Sequence, residues 1–343
     1  MSEPRTIIRL MCETDGAAIN QLFLRVFGID RSIDQWRWKF LENPHGDSLV
    51  HVAECGGRIV GHYGMIPRSV WCRDRFRPAF QEVDVMVDPE HSRGGLFLKL
   101  GHACYREAVQ RNAAFTFGFP NQTSMPVGSR LLRWRAIGSI PLFTLMIRPG
   151  DVLANRKKSE ACSATVSPIL NGLWSGYLRL RHGEGNPRPL AMDGQIGASE
   201  LSGDEFCFRR DADYLRWRYR NIGPSEYIDT GHAGIPSRDH ACVVAFNKDH
   251  EAYLMDFDPA SDDRAVSAAI RASIRICVER RVRVLRAWAL EGGRLAAVFG
   301  KLGFVRRDSR LHHVIHSFES PEFNRYLWDA SRWYISAGDS DCI

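Results

Sequence analysis

The sequence predicts an α/β fold (α+β, with mixed, mostly antiparallel β-sheets flanked by helices) in two domains. Strand-like and helix-like patterns alternate along the first half of the chain, and the second half repeats that order weakly. The segment from Asp84 to Phe97 is typical of a strand, a turn of small residues and the start of a helix. Such a turn exposes backbone N–H groups at a helix N-terminus, and it therefore predicts a site for an anion.

The elements of the first half follow from apolar periodicity and from turn residues. A hairpin is predicted around Gly56-Gly57, because strand-like residues flank this two-residue turn on both sides. Asp15 and Asp34 are expected to cap the first two helices. The predicted elements are a strand at 6–9, helices at 15–26 and 34–41, strands at 48–55, 58–66 and 80–87, a helix at 94–111, a strand at 114–119, a helix at 124–131 and a strand at 142–147.

The second half contains a weak internal repeat of the first. Residues 211–219 resemble residues 32–40, because aromatic and basic residues alternate in both segments just after an acidic helix cap. A hairpin at 241–257, a long helix around 266–278, a strand at 284–290, a helix at 295–302 and a last strand at 310–317 follow. The repeat predicts a first domain at 1–150, a connector at 151–202 and a second domain at 203–343.

Composition argues against several classes of protein. No run of about 18 apolar residues occurs, so no membrane span is predicted. The nine cysteines are scattered without a CxxC pair, which predicts unpaired thiols in a reducing, cytoplasmic compartment. The net charge is +6, but most of the basic residues are interleaved with acidic ones along the chain. This distribution disfavours direct binding of nucleic acid. No metal site is predicted, because His312, His313 and His316 lack supporting Cys or acidic residues.

The first half, roughly 6–148, resembles the Gcn5-related N-acetyltransferase (GNAT) superfamily. The resemblance rests on the hairpin, on the strand that ends in Val-Met-Val-Asp-Pro-Glu at 85–90, and on the loop that enters a helix. The family loop Q/R-x-x-G-x-G/A falls on residues 92–97, where the chain has Ser-Arg-Gly-Gly-Leu-Phe. Gly95 matches the central glycine, whereas Ser92 and Phe97 depart from the family pattern at its two ends.

The resemblance implies that this loop and its strand bind acetyl-CoA as cosubstrate. Backbone amides of the loop would hold the pyrophosphate, and the strand would hold the pantetheine arm and polarise the thioester carbonyl through one N–H group. A further side chain, Asn121, would hydrogen-bond the cofactor. The implied cofactor-binding residues are Val85, Met86, Val87, Ser92, Arg93, Gly94, Gly95, Leu96, Phe97 and Asn121.

Two carboxylates are candidates for the base that deprotonates an amine acceptor. Glu82 and Asp84 lie two residues apart on one strand, so they are expected to share a face. The alternative is that either carboxylate simply pairs with a nearby arginine. Residues 121–134 contain no tyrosine to protonate the leaving thiolate, so Ser124, as the nearest hydroxyl, or solvent is expected to supply that proton.

Three residues are candidates for contact with the acceptor. Trp36 offers an aromatic face of the kind that suits a sugar ring, and His62 and Tyr63 follow Gly61 on the hairpin strand. The alternative for all three is ordinary packing, with Trp36 anchoring its helix to the sheet.

A further resemblance rests on Trp-Arg-Trp-Lys-Phe at 36–40 with Asn-Pro at 43–44, on Val-Gly-His-Tyr-Gly at 60–64 and on Gly-Phe-Pro-Asn at 118–121. In these segments the chain is similar to large tandem GNAT proteins, several of which function in bacterial surface-polysaccharide biosynthesis. This resemblance implies a degenerate second copy that binds the acceptor or is structural. The loop of that copy would lie at 258–264, where three aspartates and no glycine occur, and it should bind pyrophosphate poorly.

The expected function is N-acetyl transfer from acetyl-CoA to a small-molecule amine, with an amino sugar or a sugar nucleotide as the suggested acceptor. One alternative is a transferase of the same fold that uses an aminoacyl-tRNA. Another is a non-catalytic module that senses acyl-CoA.

Overall fold

The structure is a computed structural model that describes residues 5–92, 94–157, 160–183, 205–220, 222–223, 225–229, 242–259 and 261–341. In chain order, the strands are β1 (Ile7–Leu10), β2 (Leu49–Cys55), β3 (Arg58–Cys72), β4 (Arg75–Val87), β5 (Phe115–Gly118), β6 (Arg135–Ser139), β7 (Leu142–Met146), β8 (Phe206–Phe208), β9 (Glu226–Asp229), β10 (Cys242–Phe246), β11 (Glu251–Phe257), β12 (Val284–Trp288), β13 (Val305–Arg307), β14 (His312–Ser317) and β15 (Trp333–Tyr334).

The helices alternate with these strands. They are α1 (Gly16–Phe27), α2 (Ile33–Leu41), α3 (Leu96–Gln110), α4 (Ser124–Leu131), α5 (Pro149–Lys157), α6 (Glu160–His182), α7 (Ala212–Arg218), α8 (Asp263–Glu279), α9 (Arg294–Lys301) and α10 (Pro321–Leu327). No helix among the described residues is long and apolar enough to cross a membrane.

The chain divides into two compact units. Unit 1 comprises Met1–Ser139 and Leu311–Asp329, and unit 2 comprises Ile140–Arg310 and Ala330–Ile343. The strands of unit 1 form a sheet in the order β1-β2-β3-β4-β5-β14-β6, in which only β4 and β5 pair in parallel. A main core cluster of unit 1 lies between this sheet and α3, where Leu100, Cys104 and Ala108 are buried as the helical periodicity predicts.

The sheet of unit 2 repeats the arrangement β2-β3-β4-β5-β14-β6 of unit 1, without a counterpart of β1. Its strands run β9-β10-β11-β12-β7-β13, and only β11 and β12 pair in parallel. β8 and β15 pair in parallel with each other. The fold is therefore the predicted one, with two mixed, mostly antiparallel sheets flanked by helices.

The division into units differs from the boundaries expected at 150 and 202. β7 belongs to the sheet of unit 2, and β14 from the second half belongs to the sheet of unit 1. Each sheet therefore contains, between its parallel pair and its edge strand, a strand supplied by the other half of the chain. Within the expected connector, α5 and α6 are helical and belong to unit 2.

Two predicted helix caps have other roles in the structure. The side chain of Ser32, not that of Asp34, accepts the hydrogen bond from Gln35 N that begins α2, and the Gln35 side chain returns the bond. Asp15 precedes α1, but its carboxylate accepts hydrogen bonds from Arg9 and Cys12 N instead. At α2 another side chain thus takes the role of the predicted cap, whereas at α1 the predicted cap is engaged by other donors.

Seven cysteines in the described part of the chain are free thiols: Cys12, Cys55, Cys72, Cys104, Cys207, Cys242 and Cys277. Five of these are buried, as the scattered spacing predicts.

Candidate active site

β4 contains a bulge at its C-terminal end. Gly64 pairs with Val83 and His62 pairs with Met86, so Asp84 and Val85 together stand opposite the single residue between those partners. Asp84 has a φ of +49°, a left-handed conformation that is uncommon for a residue other than glycine. The bulge interrupts the ladder in the strand that the sequence assigns to the pantetheine arm.

The pairing between β4 and β5 ends shortly before the bulge. Their parallel register is Phe80 to Thr116 and Gln81 to Phe117, and within the described strands it extends no further. Beyond Gln81 β4 continues to Val87, while β5 continues to pair with β14 on its other side. A strand with a bulge and a free edge can offer backbone N–H and C=O groups to an extended ligand.

The loop after β4 enters α3 through two glycines. Gly94 has a φ of +100° and Gly95 a φ of +70°, and Gly95 is the N-cap of α3. A Cβ on either glycine would meet no atom within 4 Å, so backbone conformation and not crowding requires glycine here. The N-cap has no side chain to accept a hydrogen bond, which leaves the first N–H groups of α3 available to an anion.

The side chains of the other residues assigned to the loop have different environments. Ser92 donates its hydroxyl to Pro89 O at 2.8 Å, whereas Arg93 lies outside the described residues. Leu96 is buried in the core, and the ring of Phe97 packs against those of Tyr63 and Trp134. Any contact of Leu96 or Phe97 with a cofactor would therefore use the backbone.

Glu82 lies on β4 at the point where β4 leaves β5, and its carboxylate accepts hydrogen bonds from three hydroxyl groups. Tyr105 of α3 donates to Oε1 at 2.9 Å, and Thr116 of β5 donates to the same oxygen at 2.6 Å. Tyr63 of β3 donates to Oε2. One helix and two strands, α3, β3 and β5, thus each contribute a hydrogen bond to the Glu82 carboxylate.

Burial raises the pKa of Glu82 to about 7, although the hydrogen bonds from Thr116, Tyr63 and Tyr105 act in the opposite direction. The residue as a whole is partly exposed. A carboxylate that titrates near neutral pH is suited to accept a proton from an amine.

Asp84 has a different environment from Glu82. Its side chain, 5% exposed, pairs with Arg31 and with Lys39 Nζ, the latter at 2.7 Å. Burial opposes the charge, but these two cations outweigh it and lower the pKa of Asp84 to about 2. Such a carboxylate is a weak base, and the alternative of simple pairing is favoured for Asp84.

The expectation that the two carboxylates share a face is not met. Glu82 contacts groups on α3, β3 and β5, whereas Asp84 contacts Arg31 and Lys39 at and before α2. The bulge at Asp84 breaks the two-residue alternation on which the expectation rests.

The three proposed acceptor contacts are all buried. Trp36 has no exposed surface and packs beside Gly16 of α1, where a Cβ would come within 2.7 Å of its ring. His62 is also fully buried, with Nδ1 2.7 Å from Asp84 O, and burial lowers its pKa to about 4. Tyr63 is buried as well, and its hydroxyl group donates a hydrogen bond to Glu82. The packing alternative is thus favoured for Trp36 and His62, while Tyr63 contacts the candidate base.

Asn121 and Ser124 bind each other at the start of α4. Asn121 Oδ1 accepts hydrogen bonds from Ser124 N at 2.9 Å and from Ser124 Oγ at 3.0 Å. This arrangement satisfies the first turn of α4, so both side chains already have a structural task.

The sequence analysis missed three residues of this site: Tyr105, Thr116 and Trp134. Trp134 Nε1 donates to Tyr105 OH at 2.7 Å, so it belongs to the same polar network. A signal was available for Tyr105, which follows Cys104 of the apolar stripe and therefore borders the buried face of α3. Thr116 and Trp134 carry no comparable signal, because distant pairing brings them to Glu82.

One acidic group beside the loop could hold a metal ion. Ligand atoms of Asp88, Glu90 and His91 lie within 4.8 Å of one another. Asp88, however, already accepts hydrogen bonds from Glu90 N at 3.1 Å and from Arg25 Nε at 3.2 Å. This group is thus explained by the turn that it caps.

The corresponding turn in unit 2 is closed by its own side chains. Asp262 is the N-cap of α8, and its carboxylate accepts a hydrogen bond from Ala265 N at 2.7 Å. Arg294 pairs with Asp263 at 2.6 Å and also donates to the carbonyl groups of Pro259 and Ser261. The N-terminus of α8 therefore already holds a carboxylate, where that of α3 has a glycine.

Comparison with known proteins agrees with this geometry. Residues 7–130 match the family model of the acetyltransferase (GNAT) domain. Similar solved structures include a conserved protein of Enterococcus faecalis described as a probable N-acyltransferase (9% identity, 93% of this chain and 74% of that chain, TM-score 0.59) and a GCN5-related N-acetyltransferase from Kribbella flavida (12% identity, 93% and 72%, TM-score 0.55). Another is Saccharomyces cerevisiae N-myristoyltransferase with bound myristoyl-CoA (9% identity, 98% and 92%, TM-score 0.59).

At these identities the likeness to solved structures shows the fold alone. No curated protein matches the sequence. The family match covers the strand with the bulge, the glycine loop and α3. It identifies residues 7–130 as an acyltransferase domain of the GNAT superfamily.

Proposed function

We propose that the chain transfers an acetyl group from acetyl-CoA to a primary amine, with Glu82 as the general base. The observation that carries the proposal is the position of Glu82, which lies just beyond the last pair of β4 with β5 and five residues before β4 ends. Its pKa of about 7 supports the role of base at neutral pH.

The cofactor would extend from the glycine loop along β4. The N–H groups at the start of α3, behind Gly95, would hold the pyrophosphate, since no side chain of the N-cap occupies them. The edge of β4 from Val85 to Val87 would hold the pantetheine arm. A backbone N–H at the bulge would polarise the thioester carbonyl.

The reaction needs no covalent enzyme intermediate. The amine nitrogen attacks the thioester carbon, the new C–N bond forms, and Glu82 accepts the proton that the nitrogen loses. The C–S bond then breaks, and the thiolate of CoA leaves and takes a proton from solvent. Ser124 remains a candidate for that proton, although its hydroxyl is hydrogen-bonded to Asn121.

The acceptor we propose is an amino sugar or a sugar nucleotide, in bacterial surface-polysaccharide biosynthesis. Support comes from the resemblance of the segments at 36–44, 60–64 and 118–121 to tandem GNAT proteins with such functions. No side chain of the described site supports one amine over another, so the acceptor must be identified by screening.

A longer acyl chain is the second candidate donor. The yeast N-myristoyltransferase bound to myristoyl-CoA has a fold that matches 98% of this chain. Parallel titrations with acetyl-CoA and myristoyl-CoA separate the two donors, because only a site with room for the chain would bind myristoyl-CoA more tightly.

The remaining alternatives make different predictions. A transferase that uses aminoacyl-tRNA would bind tRNA with a steep dependence on salt concentration. A sensing module would bind acyl-CoA without acylating any amine.

The experiment that tests the proposal follows thiol release from acetyl-CoA in the presence of a panel of amino sugars, sugar nucleotides and other amines. Mass spectrometry of the mixtures then detects an acetylated product. We expect amine-dependent thiol release with one class of acceptor. Absence of acetyl-CoA binding would contradict the proposal, and binding without transfer to any amine would favour the sensing module.

A further inference from the structure

A chain of hydrogen bonds leads from Trp134 to the carboxylate of Glu82. Trp134 Nε1 lies 2.7 Å from Tyr105 OH, and Tyr105 OH lies 2.9 Å from Glu82 Oε1. Trp134 and Tyr105 are both buried, with 7% and 5% of their surface exposed. The chain reaches the candidate base from the side of α3.

The donors and acceptors of this chain fix the direction of its protons. An indole N–H can only donate, so Tyr105 OH must accept from Trp134. A tyrosine hydroxyl has a single proton, and the ionised carboxylate can only accept. We propose that Trp134 is a positioning residue, which points the hydroxyl proton of Tyr105 at Glu82.

Without Trp134 this hydroxyl would have another choice. Tyr63 OH lies 3.5 Å from Tyr105 OH, and either of these atoms could donate to the other. The bond from Trp134 occupies an acceptor site of Tyr105 and thereby favours the arrangement in which both tyrosines donate to the carboxylate. The carboxylate form of Glu82 is stabilised as a result.

The packing around Trp134 holds the indole in place. A Cβ at Gly128 of α4 would come within 1.9 Å of the indole ring, so the ring lies directly against that glycine. The ring of Phe97 also packs edge-on against the indole of Trp134, with ring centroids 6.1 Å apart. The glycine in α4 is thus explained by the indole that it admits.

Other titratable groups lie around Glu82 and the ring of Tyr105. Burial raises the pKa of Cys104 on α3 well above its usual value and keeps the thiol protonated. His316 of β14 stacks on the ring of Tyr105 at 4.3 Å, and burial lowers its pKa. His102 of α3 meets the same ring edge-on. On β5, the neighbouring group is the hydroxyl of Thr116.

The test measures the pKa of Glu82 directly, by NMR of the protein labelled with ¹³C at the glutamate carboxyl groups, with Glu82→Gln to assign the signal. In Trp134→Phe and in Tyr105→Phe we expect the pKa of Glu82 to rise, by up to about one unit. The double variant should rise no further than Tyr105→Phe, because Trp134 acts through Tyr105. An unchanged pKa in Trp134→Phe, or additive shifts in the double variant, would overturn the inference.

A matched control is Trp71→Phe, which removes an indole from β3 where it packs on Phe76. This variant should leave the pKa of Glu82 unchanged. A second measurement needs no change at Trp134. In the wild-type protein the indole N–H resonance of Trp134 should titrate with Glu82, and in Tyr105→Phe it should lose that titration. An indole signal that ignores Glu82 in the wild type would also overturn the inference.

The inference rests on the proposed function only for its catalytic consequence, a matching shift in the pH profile. The NMR experiments use no substrate, so the two can fail separately. Coupling without acyl transfer would contradict the proposed function alone, whereas acyl transfer without coupling would contradict the role of Trp134 alone.

Discussion

β4 of unit 1 and β11 of unit 2 occupy the same place in two sheets of the same order, and both are irregular at the same end. In β11, Val243 pairs with Asp256 and Val244 with Leu254, so Met255 is unpaired, much as Asp84 and Val85 are in β4. The two strands differ in the acidic residues beside the irregularity. In β4 the carboxylate of Glu82 accepts hydrogen bonds from three hydroxyl groups. Asp84 in β4 and Asp256 in β11 instead both pair with cations.

Asp256 belongs to a network of buried, oppositely charged side chains in unit 2. Arg210 has no exposed side-chain surface and binds both Asp256 and Asp339, the latter at 2.7 Å. Tyr219 OH also donates to Asp256, at 2.8 Å. Gly338 lies against this carboxylate, since a Cβ there would come within 2.7 Å of Asp256 Oδ2.

The comparison suggests a division of labour that we propose: the irregularity serves catalysis in β4 and architecture in β11. In unit 1 the loop after the strand has two glycines in left-handed conformations and a helix N-terminus without a side-chain cap. In unit 2 the loop ends in the Asp262 cap, and Arg294 fills the turn. We infer that unit 1 holds the acyl-CoA and that unit 2 has a structural role.

The largest effect is expected at the glycine loop. Gly95→Glu places a carboxylate at the N-terminus of α3, where it would repel the pyrophosphate and compete for the N–H groups. We predict that acetyl-CoA binding, measured by calorimetry, becomes undetectable. Gly292→Glu is the matched control, because Gly292 has a φ of +77° and also has open space around its Cβ position. Equal affinity in Gly95→Glu and wild type would show that the loop is misassigned.

The next effect is expected at the carboxylate. Glu82→Gln keeps the shape of the side chain but removes the base, and we predict a loss of about 10² to 10⁴ in kcat/KM with little change in acetyl-CoA affinity. Glu107→Gln, which breaks only the pair with Arg111 on α3, serves as control. A fully active Glu82→Gln would exclude Glu82 as the base.

In unit 2 the corresponding change should affect stability and not binding. Arg210→Leu leaves Asp256 and Asp339 buried without their cation, so we predict a loss of about 3–5 kcal/mol in the free energy of unfolding. Arg216→Leu removes an exposed pair with Asp213 and should cost less than about 1 kcal/mol. Urea denaturation of both variants measures the difference, and a similar small loss in each would show that the buried network is unimportant.

The pH dependence separates the two carboxylates of β4. If Glu82 is the base, kcat/KM should rise about tenfold per unit of pH up to its pKa of about 7 and then level off. A base at Asp84, with a pKa of about 2, would leave the rate constant across this range. A rate without a rise between pH 5 and 7 would therefore argue against Glu82.

The same shift predicts a change in stability. The folded protein raises the pKa of Glu82 above its ordinary value of 4.5, so the folded state favours the protonated form. The resulting stabilisation is present at acidic pH and is lost as the pH rises from about 4.5 through about 7. Glu82→Gln should therefore gain thermal stability relative to wild type at pH 8 but not at pH 4.

The smallest effect is expected at the cap of α8. Asp262→Ala removes the acceptor for Ala265 N and should cost about 1 kcal/mol of stability without changing acetyl-CoA affinity. Asp34→Ala should cost less, because Ser32 caps α2 in its place. Weaker acetyl-CoA binding in Asp262→Ala would mean that unit 2 contributes to the cofactor site.

The sequence predicts what depends on local pattern. The hairpin at Gly56-Gly57, the strand before the glycine loop and the apolar stripe of α3 all follow from neighbouring residues, and the structure confirms them. The placement of β7 in the sheet of unit 2 and of β14 in the sheet of unit 1 could not be predicted. The alternation of apolar and polar residues along a strand does not specify which sheet the strand joins. β6 was missed for a related reason, since its short, half-exposed sequence carries little apolar alternation.

At the site, the sequence singled out Glu82 and Tyr63 as candidates but not the other side chains that contact Glu82. The bulge at Asp84 depends on the register with β3, so the two carboxylates were expected on one face. Tyr105, Thr116 and Trp134 reach Glu82 from three separate segments, and only the tertiary structure brings them together.

The stoichiometry of acyl-CoA binding tests most directly the claim that one of two similar units is the functional one. Calorimetric titration of acetyl-CoA into the full chain measures the number of sites without knowledge of the acceptor. We predict one site per chain, which Gly95→Glu removes and Gly292→Glu retains. Two sites per chain, or one site that survives Gly95→Glu, would contradict the assignment of cofactor binding to unit 1.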